Sequence, residues 1–357
     1  MNHSSKIGDE DRSAPMTGLE ELPQAPPAAA FAQYPASWYP FCHVDELRTK
    51  PVSKRILGRD LVAFRTASGK LSVINARCSH LGANLGCGHV IGESLQCPFH
   101  NWKYGADGRC THVPGATRIP DFARQDAYPA VERHGYVFFF NGPEALFPLP
   151  FFFDERAEDY TGGQLFSFDS DCPWYVTSAH ACDIQHFEAV HDRRLLAKPV
   201  IDCPAPFAMR NRYHAELIGD TLLDRTLRLI AGPEVKIAIT TWGGTMALIS
   251  GDFTRAHSRF LISSQPLENG NTLCVGIVFT RTHQNPIGRL LWDPAILFVR
   301  RIFTHGYLKD EARRLRQTCY NPAGLIAPDR PMIEYYRWLA GLSQGAAQYA
   351  PTQPPSR

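Results

Sequence analysis

Cys78-Ser79-His80 and, after sixteen intervening residues, Cys97-Pro98-Phe99-His100 decide how the first half of this chain is read. Each segment offers one thiolate and one imidazole. A zinc finger usually pairs two cysteines in one knuckle and two histidines in the other, whereas here each knuckle supplies one of each. That set suits a 2Fe-2S cluster whose irons sort their ligands, with Cys78 and Cys97 on one iron and His80 and His100 on the other. Neutral nitrogen ligands lower the cluster's negative charge and raise its potential. A colourless zinc-stabilised interaction protein is the competing reading of the same four residues.

Outward from these segments the chain breaks into short apolar runs punctuated by Gly, Asn and Pro. Asp60 to Phe64, Leu71 to Ile74, Ser94 to Gln96 and Gly135 to Phe140 read as strands of a small all-β domain over residues 36–145. Residues 1–35 lack hydrophobic period, being polar and then Pro- and Ala-rich, and are expected to form a disordered tail. Pro143 to Phe153 reads as a linker or a domain-packing segment. Residues 146–357 mix strand and helix signals and form a second, α+β domain. Its strands are predicted at Val235 to Thr240, Thr245 to Ile249, Arg259 to Ser264 and Thr272 to Arg281, an antiparallel set with turn chemistry at Glu268 to Asn271. Two helices are predicted, Leu290 to Phe303 and Tyr307 to Arg316.

A chain of 357 residues, 44% hydrophobic and 11% aromatic, is long enough for two such cores. Its 37 Lys plus Arg against 35 Asp plus Glu leave a net charge of +2, without the basic stripe of a nucleic-acid binder. The ten cysteines are scattered irregularly and read as free thiols plus a metal site. No run of apolar residues reaches membrane-spanning length, and the N-terminus lacks signal-peptide order, so a cytoplasmic protein is expected.

The second constellation is Asp183-Ile184-Gln185-His186-Phe187-Glu188-Ala189-Val190-His191, with the spacing D-x-x-H-x-x-x-x-H. Two histidines and a carboxylate suit a non-haem Fe(II) facial triad, which keeps positions open for O2 and substrate. Residues five apart in a continuous helix differ by about 140° around the axis, so His186 and His191 can meet one metal only if the helix bulges or breaks. Such a distortion is predicted. Glu188, between the two histidines, reads as a salt-bridging or helix-side residue.

The loops Cys78-Ser79-His80-Leu81-Gly82-Ala83 and Cys97-Pro98-Phe99-His100-Asn101-Trp102-Lys103-Tyr104, followed by the histidine pair, resemble the Rieske-type ring-hydroxylating oxygenases over residues 36–345. Asn101 departs from the Gly usual in that family, and Asn tolerates left-handed backbone angles better than most residues. Residues Ala83 and Phe99 stand where respiratory Rieske proteins carry a disulfide, so a low-potential cluster is expected. The resemblance implies a Rieske β domain followed by a helix-grip catalytic domain, one 2Fe-2S cluster and one mononuclear Fe(II) per chain. It makes His186 and His191 iron ligands and Asp183 the bridge that hydrogen-bonds a Rieske histidine across a subunit interface. Asp310 is expected as the third ligand, with Glu311 and Asp329 as fallbacks; His180 stands where relatives often have Asn.

The resemblance further implies a homotrimer, because electrons in such proteins pass between neighbouring subunits. With no G-x-G-x-x-G fingerprint and no plant-type ferredoxin cysteine run, the chain depends on a separate reductase or ferredoxin for NAD(P)H-derived electrons. Oxidation of a cyclic or aromatic small molecule is expected, with monooxygenation favoured over dioxygenation. The segments Leu81 to Leu85, Val113-Pro114-Gly115 and D-x-Q-H-x-x-x-V-H are similar to those of members that oxidise an arylamine nitrogen, but they surround the metals and not the substrate. Trp242, Phe260 and Phe279 lie on predicted strands, where aromatic residues are more often core than substrate contacts. The alternative function is an electron carrier, a Rieske domain fused to a noncatalytic binding domain.

Overall fold

The structure, a computed structural model, describes residues 22–347. The first part of the chain builds three small antiparallel sheets. Trp38–His43, Tyr136–Phe140 and Ala130–Arg133 form one; Val52–Ile56, Arg59–Arg65, Leu71–Asn75 and Ala127–Tyr128 form another. The third, His89–Ile91, Ser94–Gln96, Lys103–Gly105 and Cys110–His112, carries the second Cys-His loop between its middle strands. Short alternating runs supply its core, with Val62, Phe64, Ile74, Leu85, Leu95 and Tyr104 fully enclosed together.

The second part is built on a nine-stranded antiparallel sheet. Its centre is five long antiparallel strands, Ala208–Leu217, Glu234–Trp242, Met246–Phe253, His257–Pro266 and Thr272–Arg281, the last four joined by hairpin turns and the first two by a helical connection. Among the described residues five α-helices accompany it: α1 (Trp174–Ala179), α2 (Ile184–Ala189), α3 (Leu222–Ala231), α4 (Pro286–Arg314) and α5 (Arg330–Ala347). Helix α4 grips the sheet through Leu297 and Leu308, which pack with Phe166 and Val278. The α+β class, with a β-rich first part and an antiparallel sheet clasped by helices, is as expected.

Pro143 to Phe153 is a packing segment. Phe147, Leu149 and Phe152 are buried with Trp38, Tyr136 and Phe140 from the first part and Met246, Leu261 and Phe279 from the second. The Trp38 indole N–H donates to the Phe147 carbonyl at 2.9 Å. One apolar core therefore joins the two halves.

Two expectations are corrected. The predicted pair of helices over 290–316 is the single helix α4, because Gly306 costs only about 1 kcal/mol in a helix interior and packing on the sheet offsets it. The predicted tail is docked from residue 22 onward; residues 1–21 lie outside the described residues. Ala28–Phe31 forms a 3-10 turn whose Phe31 is 3% exposed, stacked on Tyr175 and edge-on to Trp174 and Tyr320. Tyr320 also donates its hydroxyl to the Pro26 carbonyl at 2.6 Å. Phe31, Ala30 and Tyr34 pack into the cores, and the carbonyls of Pro26, Tyr34 and Pro35 accept side-chain hydrogen bonds, so several contacts together hold the stretch down.

Candidate iron centres

The two Cys-His loops share one backbone design. The Cys78 N–H donates to the Ala83 carbonyl and the Gly82 N–H to the Cys78 carbonyl; the Cys97 N–H donates to the Trp102 carbonyl and the Asn101 N–H to the Cys97 carbonyl. Gly82 and Asn101 occupy equivalent positions, and both are left-handed, with φ of 75° and 59°. Asn101 thus replaces a glycine without changing the turn, helped by a hydrogen bond from Gln96 Nε2 to its Oδ1 at 2.9 Å. Asn101→Gly should leave cluster content and stability near wild type, whereas Asn101→Ala should cost about 1 kcal/mol in denaturant titration.

The twin loops put their thiols inside and their imidazoles outside. Cys78 and Cys97 are buried, while His80 and His100 are exposed, with ring centroids 4.7 Å apart. His80 stacks flat on Trp102, centroids 4.6 Å apart. Burial pushes the Cys78 thiol pKa up, and the Tyr104 hydroxyl, 3.0 Å from its sulfur and 2.9 Å from Ser79 Oγ, opposes that shift. Two buried sulfurs beneath two outward imidazoles is the arrangement a Rieske cluster requires.

The second centre assembles from α2, the loop after it, and the last turns of α4. Asp183 caps α2, its Oδ1 accepting from the His186 N–H at 3.2 Å. The helix stops at Ala189, and His191 lies beyond its Val190 cap, from where its ring meets that of His186; Asp192, with φ of 50°, then turns the chain away. The predicted break is present. The two Nε2 atoms are 2.7 Å apart, and Glu311 Oε1 lies 2.7 Å from His186 Nε2, with Oε2 3.2 Å from His191 Nε2.

Glu311, and not the expected Asp310, is the carboxylate that joins the histidines. From Leu308, which faces the sheet, Glu311 is about 60° away around the helix and Asp310 about 160°. Asp310 therefore turns outward and pairs with Arg313 and Arg314, its side chain 50% exposed against 12% for Glu311. Asp329 is also elsewhere, accepting from Gln185 Nε2 at 2.8 Å. Glu188 is exposed.

Tyr307, one turn before Glu311 and missed in the sequence, stacks on His191 and brings its hydroxyl 2.8 Å from His191 Nε2. The i, i+4 spacing from Tyr307 to Glu311 is the signal that could have found both. Trp242, Phe260 and Phe279 pack in the apolar clusters.

The donors fit a mononuclear metal. Glu311 Oε2 is buried without a hydrogen-bond partner despite its closeness to His191. Burial opposes ionisation of this carboxyl, but the imidazoles of His180, His186 and His191 around it outweigh that cost and hold its pKa far below the usual carboxylate range. A cavity of about 270 Å³ adjoins the centre, lined by His180, Asp183, Leu325, Met332 and Tyr336 among others.

Fold and sites together define an iron-sulfur protein with the architecture of the Rieske oxygenases. Residues 37–123 match the Rieske 2Fe-2S domain family, so the chain carries a Rieske domain. Among solved structures it resembles dicamba monooxygenase bound to dicamba, with a TM-score of 0.61 and 18% identity over 89% of this chain and 100% of that one. It also resembles the NdmA QL mutant of Pseudomonas putida CBB5 with theobromine, with a TM-score of 0.63 and 19% identity over 88% and 92%. In sequence it is 37% identical over 168 residues to aminopyrrolnitrin oxygenase PrnD of Pseudomonas fluorescens, covering 44% of this chain and 46% of the relative. It is 36% identical over 152 residues to the oxygenase component of a Rhodococcus rhodochrous 3-ketosteroid-9-alpha-monooxygenase, covering 40% and 39%. The chain thus spans less than half the length of these curated relatives.

Proposed function

We propose that this chain is the oxygenase component of a Rieske-type monooxygenase system, which takes electrons from a separate reductase or ferredoxin and uses O2 to oxidise a cyclic or aromatic small molecule. The observation that carries the reading is the coexistence, in one chain, of the twin Cys-His loops and the His186, His191 and Glu311 cluster. Cys78 and Cys97 would hold the inner iron of the cluster, His80 and His100 the outer, and His186, His191 and Glu311 the mononuclear iron. When bound, the cluster supplies single electrons and the mononuclear iron supplies coordination positions for O2.

The remaining residues position and connect. Asp183 fixes α2 through the His186 N–H, and in a homotrimer its carboxylate would accept a hydrogen bond from a neighbour's Rieske imidazole. The exposure of His80 and His100 supports that route, since a neighbour can reach them. Relatives named as an aminopyrrolnitrin oxygenase, a ketosteroid monooxygenase and a chloroacetanilide N-alkylformylase leave N-oxygenation, hydroxylation and oxidative dealkylation as the reaction classes to test. No described helix is long and apolar enough to cross a membrane. A cytoplasmic location is part of the proposal.

The test is a count of iron and acid-labile sulfide after anaerobic reconstitution. About three irons and two sulfides per chain are expected. Two of each would instead favour the electron carrier.

A further inference from the structure

His180 opens the 3-10 turn His180–Cys182 that links α1 to Asp183. Its Nε2 lies 2.8 Å from His186 Nε2 and in still closer contact with Glu311 Oε1, and its side chain is only 15% exposed. The two rings meet edge-on, at 73°, so their nitrogens converge and not their faces. We propose that His180 is a further ligand of the mononuclear metal, which makes the centre a three-histidine, one-carboxylate site. The proposal rests on the reading that His186, His191 and Glu311 hold a metal.

With Glu311 as a carboxylate, hydrogen bonding alone cannot satisfy the arrangement. His180 Nε2, His186 Nε2 and Glu311 Oε1 are in mutual contact, so three contacts need a proton between their atoms. A carboxylate oxygen only accepts, so both imidazoles would have to donate to it. Each Nε2 then carries its proton, and the 2.8 Å contact between the two nitrogens sets donor against donor. Giving either nitrogen its lone pair instead leaves that lone pair against the carboxylate. A cation at the centre resolves all three contacts at once, because every lone pair then points at positive charge.

Distances agree with this. Ligand atoms about 2.1 Å from an ion and at right angles lie about 3.0 Å from each other. The His180–His186, His186–His191, His186–Glu311 and His191–Glu311 separations are 2.8, 2.7, 2.7 and 3.2 Å. Relative to His186, His180 is thus placed as His191 is, while its contact with Glu311 Oε1 is the tightest among these donors. Four protein ligands would leave about two of six octahedral positions, where a facial triad leaves three.

Cobalt distinguishes this centre from the cluster, whose metal is iron. Full-length protein with its cluster intact is titrated anaerobically with Co(II), and X-ray absorption at the cobalt edge counts the imidazoles on the ion. The wild type should show three, and His180→Asn and His180→Gln should each show two, with the Kd for Co(II) raised about 10- to 100-fold. Two imidazoles in the wild type, unchanged in both variants, would overturn the proposal while leaving the two-histidine centre standing. Wild-type protein that keeps its cluster yet takes up no cobalt would overturn both. The wild-type count needs no variant, so misfolding of a substituted chain cannot obscure the answer.

Discussion

Glu311→Ala should remove the mononuclear iron and leave the cluster, taking iron from about three to about two per chain with sulfide unchanged. The side chain sits at the meeting point of His180, His186 and His191, and losing it takes away the one anionic donor in contact with all three. Oxygenase turnover should fall to background. Asp310→Ala is the control: it deletes exposed i, i+3 and i, i+4 pairs with Arg313 and Arg314, worth about 0.2–0.5 kcal/mol each, and should retain full iron. Iron lost from Asp310→Ala and kept in Glu311→Ala would reverse the assignment.

Asp183→Asn should keep both metals and still lower steady-state turnover about 10- to 100-fold or more. Asn caps a helix about as well as Asp, so the bond to the His186 N–H and the geometry of α2 should survive. What goes is the anionic acceptor needed by a neighbour's imidazole. Rapid mixing of cluster-reduced protein with O2 and substrate separates the cases: cluster reoxidation should slow in step with turnover. Reoxidation at the wild-type rate would remove Asp183 from the electron path.

Much of this was legible in the sequence because iron chemistry and helix geometry both leave tight spacings. The Cys-His loops read directly, and even the Gly-to-Asn exchange at 101 followed from what left-handed backbone demands. The break between His186 and His191 followed from the helical angle alone. The third carboxylate was misread because Asp310 and Glu311 are adjacent, so position along the chain cannot separate them; the face of α4 can. Leu308 and Ala312 mark the buried side, Tyr307 and Glu311 flank it, and the two arginines after Asp310 mark the wet side. His180 was hidden for another reason. Its role depends on a carboxylate 131 positions away, which local patterning does not reach. The N-terminal stretch was misjudged because composition weighs many residues equally, while a few of them, Phe31 foremost, carry the contact.

That phenylalanine sets a schedule for the chain. Its partners, Trp174, Tyr175, Tyr320 and Tyr336, follow Phe31 in the chain by up to 305 residues. Contacts so distant in sequence form slowly. The stretch around Phe31 must therefore wait until Tyr336 has been made before its seat is complete. It then closes over Tyr320 and Tyr336, two walls of the cavity beside His180. An expression boundary drawn at residue 36 would take Phe31 out of the aromatic cluster that walls the cavity.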